Sequence, residues 1–202
     1  MTTQLALDGP EYRCLLMDPP WAERGAGQCV RGAQRHYPLM MPPEILRTVL
    51  TSGSWRPAPS SHLWVWVTDN WLEAGLWLMG QLGYRYVRTW VWVKMRDLHA
   101  NCGPSSLVQA AREALQIGLG QYARGSHETL LFGVRGCLPT PAPKDRGPSV
   151  ILAPRGRHSA KPLASYVTIE TVSPGPRVEF FARSARAGWD AWGNEAPQGG
   201  VR

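Results

Sequence analysis

An α/β sheet with right-handed crossovers is the fold that the sequence predicts. A nearly continuous apolar run, His62 to Thr68, and a second strand-like segment, Tyr86 to Lys94, flank a segment with helical periodicity. A shorter run from Tyr12 to Met17 stops at Asp18-Pro19-Pro20, where proline forces the chain out of a sheet. Strands covered on both faces read as unbroken apolar runs, and strand–helix–strand alternation implies a parallel sheet.

The elements follow in order. Tyr12 to Met17 is a strand, and residues 22–36, rich in Gly, Arg and Gln, form a loop. Pro42-Pro43-Glu44 opens a helix to about Leu50, since proline is tolerated in a first helical turn. His62 to Thr68 (HLWVWVT) is a strand. Asn70 to Leu82 carries Leu72, Leu76, Met79 and Leu82 at helical spacing, and Gly83 stands where the helix would stop. Tyr86 to Lys94 is the next strand. Within 96–117, Ser106-Leu107-Val108-Gln109 fits a capping box. Leu107, Ala111, Ala114 and Leu115 make an apolar stripe. This segment reads as a short helix, either on a substrate-facing insertion or on an ordinary surface. Glu128 to Val134 is a strand, 136–149 a Pro- and Gly-rich loop, and Val150 to Ala153 a short strand. Pro162 to Val172 is a helix, and Arg177 to Ala182 the last strong strand. The pattern fits one domain over 1–195 and a disordered tail over 196–202.

Lys and Arg outnumber Asp and Glu by 22 to 15, giving a formal charge of +7. That balance suits a polyanion such as DNA or RNA, or simply a soluble basic protein. Cys14, Cys29, Cys102 and Cys137 include no C-x-x-C pair, which argues against a zinc or redox site. No signal peptide opens the chain and no stretch reaches membrane-spanning length, so the cytoplasm is the expected location. Of ten tryptophans, Trp64, Trp66, Trp90 and Trp92 lie inside strand-like runs and are expected in the core.

Asp18-Pro19-Pro20-Trp21, placed at a strand end, is a compact chemical device. An aromatic exocyclic amine is a poor nucleophile because its lone pair is delocalised into the ring. Two acceptors on its two N–H groups favour a pyramidal nitrogen and aim the lone pair outward. The Asp18 carboxylate supplies one acceptor; the Pro19 carbonyl, fixed by the proline φ angles, supplies the other. Trp21 offers a flat face for a base to stack on. With a sulfonium methyl donor, the remaining tasks are alignment and exclusion of water, with neither metal nor covalent intermediate required. The competing reading makes Asp-Pro-Pro a turn and Trp21 a packing residue.

Several blocks in order then resemble the mRNA N6-adenosine methyltransferase family, which includes bacterial and phage adenine methyltransferases. They are MDPPW (Met17 to Trp21), HYPLM (His36 to Met40), LWVWVTDNW (Leu63 to Trp71) and WVWVKM (Trp90 to Met95). GLGQYARGSHETLLFGVRG (Gly118 to Gly136), HSAKP (His158 to Pro162), VEFFARS (Val178 to Ser184) and GWDAWGNE (Gly188 to Glu195) complete them. The resemblance implies a Rossmann-like fold with a mostly parallel, doubly wound sheet in circularly permuted motif order. Its ligands would sit at the carboxyl ends of the strands. It also implies S-adenosyl-L-methionine as cofactor and adenine N6 as acceptor.

Carried over by position, Asp18 would hold the amine and border the methionine end of the cofactor. Tyr37 would lie on a loop closing over the base. Lys94, Tyr122, Arg124, His127 and Glu128 would form the acceptor side, with Glu128 the foremost substrate contact. Lys161 would meet the cofactor's carboxylate, and Glu179, Arg183, Asn194 and Glu195 would line its ribose and adenine. His127 and His158 equally fit plain surface histidines. Phe181-Ala182-Arg183 stands where other methyltransferases carry a glycine-rich F-x-G-x-G loop.

A paired base cannot reach such a tetrad, so the target would be single-stranded or flipped. Arg24, Arg31 and Arg35 flank the pocket, and Arg96, Arg112, Arg155 and Arg157 lie on later loops where they suit phosphate contacts. DNA is favoured over RNA by analogy, with help from a homodimer or second subunit. The alternatives are an RNA methyltransferase, an inactive nucleic-acid-binding subunit, and an enzyme acting on cytosine N4 or a small molecule.

Overall fold

The computed structural model describes residues 9–22, 39–96, 114–118, 122–156 and 160–194. Seven strands form one sheet: β1 (Tyr12–Met17), β2 (Pro57–Val67), β3 (Arg85–Met95), β4 (His127–Arg135), β5 (Val150–Pro154), β6 (Arg177–Phe180) and β7 (Asp190–Trp192). Their order across the sheet is β5-β3-β4-β2-β1-β6-β7. β1 pairs in parallel with β2 and β6, β3 with β5, and β6 with β7. β4 alone runs antiparallel, to both β2 and β3. The α/β class and mostly parallel sheet expected from the sequence are therefore present, with one inverted strand inside.

Helices cover both faces. α1 (Pro42–Leu50) and α2 (Leu72–Gln81) bury Ile45, Val49, Leu78 and Met79 against Leu15, Met17, Leu63, Val65 and Leu131. α3 (Leu163–Val172) buries Tyr166 and Ile169 on the opposite face, against Leu16, Trp64, Trp66, Leu130 and Trp92. The period-2 alternation of β2 divides it cleanly: Leu63, Val65 and Val67 face the first core, Trp64 and Trp66 the second. Trp64, Trp66 and Trp92 are fully buried, as the sequence predicts, and Trp90 nearly so. Among the described residues no helix is long and apolar enough to cross a membrane.

α1 begins on prolines, and its Glu44 carboxylate accepts the Met41 backbone N–H at 2.7 Å, completing the cap. α2 is preceded by a 3₁₀ turn, Asp69–Trp71, and stops before Gly83, whose φ of +81° suits glycine. At Gly75, α2 approaches Val67 so closely that a Cβ would collide with its side chain.

The strands depart from expectation by more than one residue in three places. β2 starts at Pro57, five residues before His62, because its irregular opening still pairs with Tyr12. The Arg177 to Ala182 strand ends at Phe180, because Phe181 takes φ +63° and turns the chain out of the ladder. β7 has no counterpart in the sequence reading; three residues carry too little pattern to announce a strand. In the 96–117 segment, residues 97–113 lie outside the described residues. Leu115, expected on a helix stripe, instead forms an antiparallel bridge with Met95, and Gln116 N–H donates to the Lys94 carbonyl.

Candidate active site

β1, β2, β3 and β6 end at the same edge of the sheet. β4, being inverted, begins there: Val93 pairs with His127 and Trp92 with Glu128. Strand alternation then selects a face. Lys94 follows Trp92 by two residues, Glu128 precedes Leu130 by two, and Glu179 stands opposite Leu16. All three side chains belong to the face that α3 covers. Asp18 follows Leu16 by two residues, and Lys161 lies two residues before α3.

These groups make a ladder of alternating charge. Lys94 Nζ lies 2.8 Å from Glu128 Oε1, and Lys161 Nζ lies 3.2 Å from Glu128 Oε2 and 2.8 Å from Asp18 Oδ1. Arg183 Nη2 ends the ladder, 4.0 Å from Asp18 Oδ2. The positive φ of Phe181 makes that last contact available, since it ends β6 and leads the chain back past Asp18. Two buried indoles form the floor. Lys161 Nζ stands 5.2 Å above the Trp66 ring and Lys94 Nζ 5.5 Å above the Trp92 ring.

The side chains of Lys161 and Asp18 are only 10% and 14% exposed. Burial works against the charge of Lys161, but the Asp18 and Glu128 carboxylates outweigh it and raise its pKa above the ordinary lysine value. Burial likewise favours neutral Glu128, yet the Lys161 and Lys94 ammonium groups prevail and hold its pKa low. Glu179 behaves oppositely. Burial dominates and pushes its pKa up to about 7; Asp18 adds to the rise, while the Tyr166 hydrogen bond, Arg186 and Lys161 oppose it. Its Oε1 accepts the Tyr166 hydroxyl at 2.9 Å.

The expected residues divide accordingly. Asp18, Lys94, Glu128, Lys161 and Arg183 come together. Pro19 is buried and Pro20 half-buried; the Pro19 carbonyl already accepts the Trp21 N–H at 2.9 Å and keeps a second lone pair. Trp21 packs into the core: it is 8% exposed, donates its indole N–H to the Trp66 carbonyl at 2.9 Å, and stacks on Trp71. The face toward Trp71 is thus covered. Glu179 lies beneath Asp18 and is tied to α3. His127 projects to the other sheet face, 3.4 Å from Asp69. Tyr122 is fully exposed, and Arg124 donates to the Gly118 carbonyl. Asn194 is exposed just beyond β7. Tyr37 and Glu195 lie outside the described residues. Sequence reading missed Trp66 as the seat of Lys161 and Tyr166 as the partner of Glu179. No local pattern in the sequence points to either contact.

Chemically, the cluster offers a carboxylate and a neighbouring main-chain oxygen as acceptors, with a buried ammonium beside them. A small zwitterion presenting both an ammonium and a carboxylate would find complementary partners in Asp18 and Lys161.

Comparison with known proteins gives a match to the MT-A70 family over residues 12–195. The N6-methyladenosine RNA methyltransferase MTA1 of Cryphonectria parasitica is 27% identical over 95% of this chain and 54% of its own length. The type II methyltransferase M.MunI of a Mycoplasma species is 25% identical over 93% of this chain and 78% of its own. The N(6)-adenosine-methyltransferase MT-A70-like protein of Arabidopsis thaliana is 29% identical over 66% of this chain and 18% of its own. The chain thus spans about half of the fungal relative and under a fifth of the plant one.

Proposed function

The chain belongs to the MT-A70 family, and on that premise we propose that it methylates the N6 amine of adenine in nucleic acid, DNA in preference to RNA. The observation that carries this reading is the Asp18–Lys161–Glu128 cluster at the carboxyl edge, built from three separate blocks of the sequence. S-adenosylmethionine fits the donor set. Lys161 would hold its carboxylate, Asp18 would border its ammonium, and Arg183 and Asn194 would face its nucleoside. When bound, it supplies an electrophilic methyl group on a sulfonium.

The chain's own residues supply positioning. Asp18 accepts one N–H of the target amine and the free lone pair of the Pro19 carbonyl accepts the other, which turns the nitrogen lone pair outward. Glu128, held by Lys94, accepts from or orients the acceptor base on the far side of Lys161. Lys161 lies 2.8 Å from Asp18, which would set the carboxylate and the ammonium of the cofactor's amino-acid end side by side. The nitrogen that gains a methyl group gives up a proton, and Asp18 is the nearest acceptor for passing it to solvent.

DNA is favoured because the type II methyltransferase relative aligns over most of its own length. RNA is the second reading, supported by the fungal relative, whose alignment covers 95% of this chain. Nucleoside mass spectrometry on DNA and RNA incubated with the protein and labelled cofactor tests both. N6-methyladenine absent in Asp18→Ala and present in wild type is the expected result. No methylated base in either nucleic acid would refute the proposal. N4-methylcytosine alone would move the acceptor to cytosine.

A further inference from the structure

The two ends of the sheet carry their charges differently. The ion pairs of the described residues all lie at the carboxyl edge, where Lys94, Lys161 and Arg183 are matched by Asp18 and Glu128, and His127 by Asp69. The opposite, amino edge is lined by arginine. Arg13 opens β1, Arg56 immediately precedes β2, Arg85 and Arg88 open β3, and Arg135 closes β4. Arg85, Arg88 and Arg135 are exposed, and none of the five forms an ion pair with a described carboxylate. Among the described residues at that end, Asp190 accepts the Tyr12 hydroxyl at 2.8 Å and Glu170 the Trp189 indole N–H at 2.7 Å, while Glu11 and Asp145, the latter on the connection that leaves β4, face solvent.

Like charges in a row repel one another, so an unneutralised row needs a counter-charge of its own. β3, β4, β2 and β1 are successive neighbours in the sheet. At about 4.8 Å per strand the row extends roughly 15 Å, the axial rise of about four base pairs. Guanidinium groups bind phosphate through two parallel N–H bonds, and a row without a reading element contacts backbone rather than bases.

We propose that this arginine row is a second nucleic-acid surface, which holds a stretch of phosphate backbone remote from the target base. It rests on nucleic acid being the substrate. Along β4, Arg135 and Glu128 are separated by about 24 Å at some 3.4 Å per residue. A short oligonucleotide seated at Asp18 does not reach the row; a longer one that bends round the sheet edge does.

The test is fluorescence-anisotropy binding of labelled oligonucleotides to the full chain, read over a salt series. The protein variants are wild type, the triple Arg85→Ala/Arg88→Ala/Arg135→Ala, and the same triple to Lys. For a duplex of about 40 base pairs, the alanine triple is expected to bind roughly tenfold more weakly or worse. Its log K against log salt should flatten by about 0.9 for each phosphate no longer neutralised, while the lysine triple keeps the slope. A probe of about six nucleotides, too short to span from Asp18 to the row, should lose less affinity in the alanine triple than the long duplex does. Thermal unfolding establishes that the variants fold. An alanine triple that is folded and binds the long duplex with wild-type affinity and slope overturns the proposal. So does an alanine triple that loses only binding to polyglutamate, which would assign the row to an acidic protein. Binding is read without methyl transfer, so a chain that methylates nothing, yet loses salt-dependent binding in the alanine triple, refutes the activity and leaves the row standing.

Discussion

Lys161 Nζ lies 2.8 Å from Asp18 Oδ1, an internal ion pair that joins the proposed cofactor anchor to the tetrad carboxylate. A buried pair of this kind is costly to break from one side, because the remaining charge stays desolvated.

Asp18→Asn keeps the size of the side chain and removes its charge. Its amide turns one acceptor toward the amine into a donor, so methyl transfer should fall by about 10²–10⁴-fold, the range of a lost acid–base or orienting group. Steady-state kinetics on an adenine-containing substrate measures this. Activity within a few-fold of wild type would exclude Asp18 as the amine acceptor.

Lys161→Met removes the ammonium and leaves Asp18 and Glu128 facing each other. Stability should drop by about 3 kcal/mol at neutral pH, the lower end for breaking a buried pair. The Glu128 pKa lies below its ordinary value, so its contribution is present above the unfolded pKa and disappears as pH falls through the folded one. The deficit of the variant should therefore shrink on acidification, as denaturant unfolding at several pH values will show. Affinity for S-adenosylhomocysteine, read by calorimetry, should fall as well.

Glu179 gives a stability contribution of opposite sign. Its folded pKa of about 7 lies above the ordinary 4.5, so the folded state binds the proton more tightly. Stability from this group is complete below about pH 4.5 and is lost as pH rises toward 7. The shift corresponds to roughly 3 kcal/mol at about 1.4 kcal/mol per unit. Glu179→Gln should erase that slope, so its stability relative to wild type should rise between acid and neutral pH. Parallel pH profiles of the two proteins would show that the Glu179 pKa does not change on folding.

Trp21→Phe keeps a ring against Trp71 but leaves the Trp66 carbonyl without its indole donor. A buried acceptor losing its partner costs about 1–3 kcal/mol. Chemical denaturation should show a loss in that range; no change would mean that water replaces the indole N–H.

Much of this arrangement is legible in the residues alone. The proline stop after Met17 places Asp18 at a strand end whatever the rest of the chain does, and the unbroken run at His62 demands a strand covered on both sides. Side-chain direction is not legible to the same degree. His127 and Glu128 are adjacent in a strand and must face opposite ways; only the register with β3 decides that Glu128 joins Lys161 while His127 meets Asp69. Trp21 reads equally as platform or packing until Trp71 and the Trp66 carbonyl close around it. The tie of Tyr166 to Glu179 joins a helix to a strand and leaves no local pattern. Phe181 looks like one more strand residue, since nothing in its type announces a left-handed backbone.

The inverted direction of β4 brings the proposed acceptor side of the site from a single antiparallel pair of strands, joined to the rest through the Glu128–Lys161 contact. Lys94 and Glu128 are delivered by two antiparallel neighbours and the connection between them, whereas Asp18, Lys161 and Arg183 come from strands and loops elsewhere in the chain. On the proposed function, a change of acceptor would therefore fall on this pair of strands and not on the elements that carry Asp18 and Arg183.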